Sequence, residues 1–142
     1  HIYRQLGYMQ SSSIDMFNQF LRQGVGSYPI IAGYESQLLE FSKQESDMYD
    51  KIRDDVIIMY PEPTIWSSHV YIALTESGKV GLNALMDKDI QALAWKDHGF
   101  RTTVSGTENP DEFDVNGMAD QVTKIMPMPS VDVMLELMEA IK

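Results

Sequence analysis

Short apolar runs alternate with amphipathic stretches along most of the chain. The clearest run covers residues 56–60 (VIIMY) and ends at the prolines of the PEPT stretch that follows. A continuous apolar run of this length is typical of a strand buried on both faces. Runs at 28–32 and 70–74 predict two further strands. Because these strands alternate with helical patterns, the sequence predicts an α/β fold.

Apolar residues at helical spacing predict the helices. Ile14, Phe17 and Leu21 share one face of a helix over 11–23. Similar patterns predict helices over 35–41, 78–86, 87–98 and 131–141. The polar segment 42–55 is either a helix extension or a loop. Residues 102–128 are rich in turn formers, so we expect a loop there with a short helix over 118–125.

Three residues are suited to the ends of these helices. Asp87 and Ser130 precede helical patterns, and their side chains can accept the free backbone N–H groups of a first helical turn. Gly99 follows the pattern over 87–98 and can adopt the left-handed conformation that ends many helices.

Composition excludes several classes of protein. The length of 142 residues indicates one domain, or a piece of a larger protein, and the net charge of -10 argues against binding to nucleic acid. The absence of cysteine excludes disulfides and thiolate metal sites. No apolar run is long enough to span a bilayer, and the first residues do not resemble a signal peptide. Neither a GxSxG motif nor a phosphate-binding loop occurs, so we expect no enzyme activity and no cofactor.

Three consecutive serines, Ser11, Ser12 and Ser13, open the first predicted helix. A helix N-terminus has unpaired N–H donors and a partial positive charge, and neighbouring hydroxyls add further donors. Such a group can bind an oxyanion. Serines at a helix start are more commonly simple caps, and spacing alone leaves both interpretations open.

Three segments resemble the second half of a type 2 periplasmic binding protein, the solute receptor of bacterial ABC transporters. Residues 11–40 resemble its helix, strand and helix, and residues 56–79 resemble the strand that returns through the hinge. Residues 81–101 resemble the terminal helix pair of molybdate- and sulfate-type receptors, with Gln91, Gly99, Phe100 and Arg101 matching the end of that motif.

The resemblance implies part of a two-lobed fold with helices on both faces of a short mixed sheet. Residues 1–60 would belong to the second lobe, and residues 61–142 would form the hinge return and the C-terminal part of the first. The chain would then be a fragment of a longer protein. Its strands would have unpaired edges, which favours association into a homo-oligomer.

The implied function is to bind a small molecule or an anion, including an oxyanion, in a cleft between lobes that closes by a hinge motion. The partner would be the membrane permease of an ABC transporter. The location would be periplasmic or extracellular, with membrane association through that partner or a lipid anchor. The candidate ligand-binding residues are Ser11, Ser12, Ser13, Tyr34, Glu35, Tyr60, Thr64 and Trp66.

Two alternatives remain. The same fold could act as a ligand-sensing or interaction domain with no role in transport. A metal-binding domain would use Glu35, Glu62 and His69, although these residues lack the spacing of a metal motif. Glu35 also suits a cation better than an anion, because its carboxylate would repel negative charge.

Overall fold

A computed structural model describes residues 12–23, 29–104 and 106–141 of the protein. The described helices are α1 (Ser13–Gln23), α2 (Glu35–Gln44), α3 (Ser46–Tyr49), α4 (Glu76–Leu85), α5 (Lys88–His98) and α6 (Val131–Ala140). Two short 3₁₀ helices, Arg53–Asp55 and Pro110–Glu112, lie between them. Strands β1 (Thr64–Ile65) and β2 (Ile125–Met126) form a parallel pair, with Thr64 opposite Ile125. The described part is therefore a mainly helical α/β structure with one small parallel sheet.

The helix ends follow the local sequence signals. The Asp87 carboxylate accepts the N–H groups of Asp89 and Ile90 at the start of α5, and Ser130 Oγ accepts that of Val133 at the start of α6. Gly99 ends α5 with a φ of 66°. These predictions are confirmed, as are the helices predicted over 35–41, 78–86 and 87–98, with small shifts of their ends.

The core lies where α1, α2 and α5 pack together with the loop that follows α5. Its buried apolar side chains are Phe17, Phe20, Leu38, Leu39, Tyr49, Val56, Trp95, Phe113 and Val115. Helix α2 packs on α5, and this contact requires a glycine at the end of α5. A Cβ on Gly99 would lie 2.4 Å from Leu39 Cβ, far inside van der Waals contact.

The predicted strand at 56–60 forms no strand pair with a described residue. Its alternate residues Val56, Ile58 and Tyr60 face the body of the protein, while Ile57 and Met59 are exposed. One backbone bond joins it to the loop after α5, from Ile58 N–H to the Asn116 carbonyl, at 2.9 Å. The prediction of a strand covered on both faces is wrong, because only one side of this segment has packing partners.

The predictions of two further strands and of a helix over 118–125 are also wrong. Residues 29–32 and 70–74 are not in strands, and residue 28 lies outside the described residues. The mixed sheet expected from these runs is therefore absent from the described part of the chain. Residues 118–125 are irregular until β2, and the carbonyls of Ala119 and Asp120 accept hydrogen bonds from Arg101 rather than from helical N–H groups.

Candidate functional site

A groove of ≈ 470 Å³ lies between the start of α2, the chain segment around β1 and the residues that end α5. It is lined by five of the predicted ligand-binding residues: Tyr34, Glu35, Tyr60, Thr64 and Trp66. Along the chain, α2, α3, a 3₁₀ helix and β1 lie between Tyr34 and Trp66, and the fold brings these residues to one surface. The groove is therefore the candidate site.

A paired carboxylate and guanidinium lie in the groove. Arg101 Nε donates to Glu35 Oε2 at 2.9 Å, and Arg101 Nη2 donates to Glu35 Oε1 at 2.7 Å. The side chains are only 8% and 15% exposed, respectively. A two-pronged bond of this kind fixes the orientation of both groups. Glu35 also lies in the first turn of α2, where the helix dipole favours a negative charge.

The remaining N–H groups of Arg101 are also used within the protein. Nη1 donates to the Asp120 carbonyl at 3.1 Å and to Glu108 Oε2 at 3.5 Å, and Nη2 donates to the Ala119 carbonyl. A guanidinium has five N–H donors, so these bonds and the two to Glu35 account for all of them. Burial by itself would lower the pKa of Arg101, but the hydrogen bonds and charge of Glu35 outweigh it and raise the pKa above its ordinary value.

Tyr60 joins the Glu35–Arg101 pair to the loop behind it. Its hydroxyl donates to Glu35 Oε1 at 2.6 Å and accepts from the backbone N–H of Ala119 at 3.3 Å. Burial, followed by the hydrogen bond to Glu35, raises the pKa of Tyr60 to about 12. The hydroxyl therefore stays neutral at physiological pH and acts as a fixed donor. We name Glu35, Tyr60 and Arg101 the buried triad.

Aromatic side chains line the groove above the buried triad. Tyr34, Trp66 and Phe100 all line it, and the imidazole of His69 meets the Phe100 ring edge-on with 5.5 Å between centroids. Glu40, five residues after Glu35 on α2, adds a second carboxylate to the lining. Its Oε1 lies 2.7 Å from Nδ1 of His98. The groove thus combines flat apolar surfaces with carboxylate oxygens.

The two described serines at the start of α1, Ser12 and Ser13, do not line the groove. Ser12 Oγ accepts the backbone N–H of Ile14 at 3.2 Å, which is a helix-capping contact. Ser13 Oγ accepts from Gln37 Nε2 at 3.2 Å, and Gln37 lines the groove. Ser13 therefore contacts a groove residue, Gln37, but does not itself line the groove. Ser11 lies outside the described residues.

The residues proposed for a metal site are not arranged for one. Glu35 binds Arg101 and Tyr60, while Glu62 pairs with Lys124 instead of His69. Across residues 12–23, 29–104 and 106–141, no three His, Asp or Glu side chains are grouped as metal ligands would be. No helix in the same ranges is long and apolar enough to cross a membrane.

Among the groove residues that sequence reasoning missed are Gln37, Glu40, Phe100 and Arg101. Gln37 and Glu40 are two and five positions after Glu35 on α2, so the i,i+3 and i,i+4 spacing of one helix face does not connect them to Glu35. Phe100 and Arg101 were noted only as part of a motif. Their position directly after the helix-ending Gly99 is the signal, because residues that follow a helix stop leave the helix axis.

Comparison with known proteins adds no family to this description. No family model matches the chain, and neither the curated proteins nor the solved structures contain a match.

Proposed function

We propose that the chain is a lobe of a solute-binding protein and that its groove binds a small molecule. The observation that carries this proposal is the groove itself, which gathers Tyr34, Glu35, Tyr60, Thr64 and Trp66 from separate parts of the chain. Small-molecule sites are concave, largely apolar and supplied with a few fixed polar groups. The aromatic walls and the buried triad fit that description.

The buried triad supports binding by fixing one end of the groove. Arg101 holds Glu35 by two bonds, and Tyr60 holds it by a third. Side chains fixed by such bonds lose little conformational entropy when a ligand binds, which favours affinity. The triad therefore serves to position the groove residues around it.

The oxyanion version of the proposal is the less supported one. Ser12 caps α1, Ser13 accepts a bond from Gln37, and the guanidinium of Arg101 is used within the protein. An oxyanion would instead meet the carboxylate of Glu40 in the groove lining.

Transport is the wider role that we propose. The chain would supply part of a two-lobed receptor of the type 2 periplasmic kind, with residues 1–60 in one lobe and 61–142 returning to the other. The receptor would lie in the periplasm or outside the cell and deliver solute to the permease of an ABC transporter. The exposed segment 70–74 supports association with another chain or lobe, since Val70, Ile72 and Leu74 are 80%, 73% and 88% exposed.

A sensing or interaction domain is the second candidate, because it would use the same groove without a permease. The full sequence of the gene that encodes the chain distinguishes the transport role from the sensing role. An export signal and a first lobe favour transport, whereas a DNA-binding domain in the same protein favours sensing.

The groove is tested by thermal unfolding of the full chain with sulfate, glucose, leucine and spermidine as probes. A bound probe should raise the melting temperature with increasing concentration. Trp66→Ala should abolish that rise, whereas Tyr71→Ala, which removes an aromatic ring outside the groove, should keep it. The proposal fails if no probe raises the melting temperature, or if Trp66→Ala leaves the rise unchanged.

A further inference from the structure

We infer that the solute is an organic cation, a primary amine or a quaternary ammonium compound, held between aromatic rings and the carboxylate of Glu40. The inference rests on the proposed function, and it names the chemical class of the solute.

The first argument is the balance of charge around the groove. The lining contains the carboxylates of Glu35 and Glu40 and the guanidinium of Arg101. Arg101 compensates Glu35 directly, and all five of its N–H donors are used by the protein. Glu40 is left without a permanent cation in the lining, so the groove has an excess of negative charge when His69 in the lining and His98 beside Glu40 are neutral.

The second argument is the geometry at Glu40. The hydrogen bonds to its carboxylate from described residues end on Oε1, which accepts from Gln44 Nε2 at 3.0 Å and lies 2.7 Å from His98 Nδ1. Among the described residues, Oε2 has no such bond and can accept one from a primary ammonium group, whereas a quaternary ammonium group, which has no N–H, would be attracted to it by charge alone. A carboxylate acceptor roughly doubles the strength of such a bond relative to a neutral acceptor.

The third argument is the aromatic lining. The faces of tyrosine, tryptophan and phenylalanine rings carry partial negative charge and attract cations that lie over them. Tyr34, Trp66 and Phe100 line the same groove as Glu40, and the Tyr34 and Phe100 rings are substantially exposed. An ammonium compound also carries methyl or methylene groups, which these rings can cover. Neither a metal ion nor an oxyanion would use both features.

The net charge of the chain acts in the same direction. With a value of -10, the chain produces a negative potential that raises the local concentration of cations and repels anions. This attraction is not specific, so the experiment has to separate binding in the groove from general attraction to an acidic protein.

Isothermal titration calorimetry of the full chain with spermidine, choline, glucose and sulfate makes that separation. We expect spermidine or choline to bind. Glu40→Gln and Trp66→Ala should each raise the Kd on the order of tenfold or more. Glu45→Gln removes the same charge from an exposed position outside the groove and is the matched control, with the Kd unchanged. Melting curves without probe check that the variants fold.

The other outcomes distinguish the two proposals. Binding of glucose or sulfate that Trp66→Ala abolishes would keep the groove as a solute site and overturn the cation. Cation binding that weakens equally in Glu40→Gln and Glu45→Gln would be general attraction, and it would overturn the inference. If none of the four probes binds at about 10 mM, a concentration that detects even millimolar affinity, both the inference and the proposed function fail.

Discussion

The protein has two regions that bury their apolar residues to very different extents. In the described chain, every apolar side chain of the core falls within residues 17–56 or 95–115, which we call the packed region. Residues 65–86 and 119–141, the open region, are as apolar in sequence but contain no buried residue in the part described. The difference shows that hydrophobic sequence alone does not decide burial, since a partner surface is also required.

Two similar apolar runs illustrate the comparison. Both 56–60 and 70–74 were predicted as strands, and neither forms a strand pair with a described residue. The first places Val56 in the core and bonds Ile58 N–H to the loop at Asn116. The second has no backbone hydrogen bond to any other described residue, and its apolar side chains are exposed. The groove lies where the two regions meet, because its walls come from both.

The largest difference in the free energy of unfolding should appear when one leucine from each region is replaced by alanine. Leu39 is 0% exposed, and Leu39→Ala should lower the free energy of unfolding by about 4 kcal/mol because a cavity forms in the core. Leu74 is 88% exposed, and Leu74→Ala should change it by less than about 0.5 kcal/mol. Urea unfolding followed by circular dichroism at low protein concentration measures both. A large loss for Leu74→Ala would show that residues 70–74 are buried in solution, most simply between two chains.

The second largest difference in the free energy of unfolding should appear when one ion pair is broken in each region. Arg101→Met leaves the Glu35 carboxylate buried without a counter-ion, and the carbonyls of Ala119 and Asp120 lose a donor. A loss of about 3 kcal/mol is expected from the cost of an uncompensated buried charge. Lys124→Met breaks an exposed pair with Glu62 and should cost at most about 1 kcal/mol.

The same urea titrations decide this prediction. Equal small losses for the two variants would mean that Glu35 is hydrated in solution. The buried triad would then not fix the groove.

Removing the hydroxyl of Tyr60 or of Tyr71 should give a smaller difference in the free energy of unfolding, and this difference should depend on pH. Tyr60→Phe removes the bond to Glu35 and should cost about 1–2 kcal/mol at neutral pH, whereas Tyr71→Phe removes an exposed bond to the Gly78 carbonyl and should cost less than about 0.5 kcal/mol. Folding raises the pKa of Tyr60 from 10.0 to about 12, so its stabilisation is complete below pH 10 and is lost as the pH rises towards 12.

Unfolding free energies measured across that pH range check the sign. The difference between the wild type and Tyr60→Phe should stay constant up to pH 10 and then shrink. A difference that instead grew above pH 10 would contradict the arrangement in which Tyr60 donates to Glu35.

Helix ends were predictable from the sequence because their causes are local. Asp87 bonds to groups two and three residues away, and Gly99 ends α5 through its own backbone conformation. Strands depend on a neighbour that can be anywhere in the chain. The run at 70–74 has the composition of a strand but lacks such a neighbour among the described residues, and no pattern within the run indicates this.

The candidate site divides in the same way. Five of its residues were named from sequence, by their positions after apolar runs and by resemblance, but the bond that organises them was not. Glu35 and Arg101 are 66 positions apart, and their pairing depends on how α2 packs against α5. A charged residue after a helix stop indicates a position of interest, yet only the tertiary structure gives its partner.

Removing a helix cap gives the smallest effect, and comparing α5, which carries a core residue of the packed region, with α6 of the open region is the strictest test of the independence of the two regions. Asp87→Ala should cost about 1 kcal/mol, because α5 carries the buried Trp95 and its fraying disturbs the core. Ser130→Ala removes the equivalent bond from α6, which is exposed along its length, so its fraying should change global unfolding by only a few tenths of a kcal/mol. In Ser130→Ala, amide hydrogen exchange should be faster than in the wild type, and this increase should be confined to α6. If the two variants lower global stability equally, α6 unfolds together with the core, and the open region must then be held against a surface in solution.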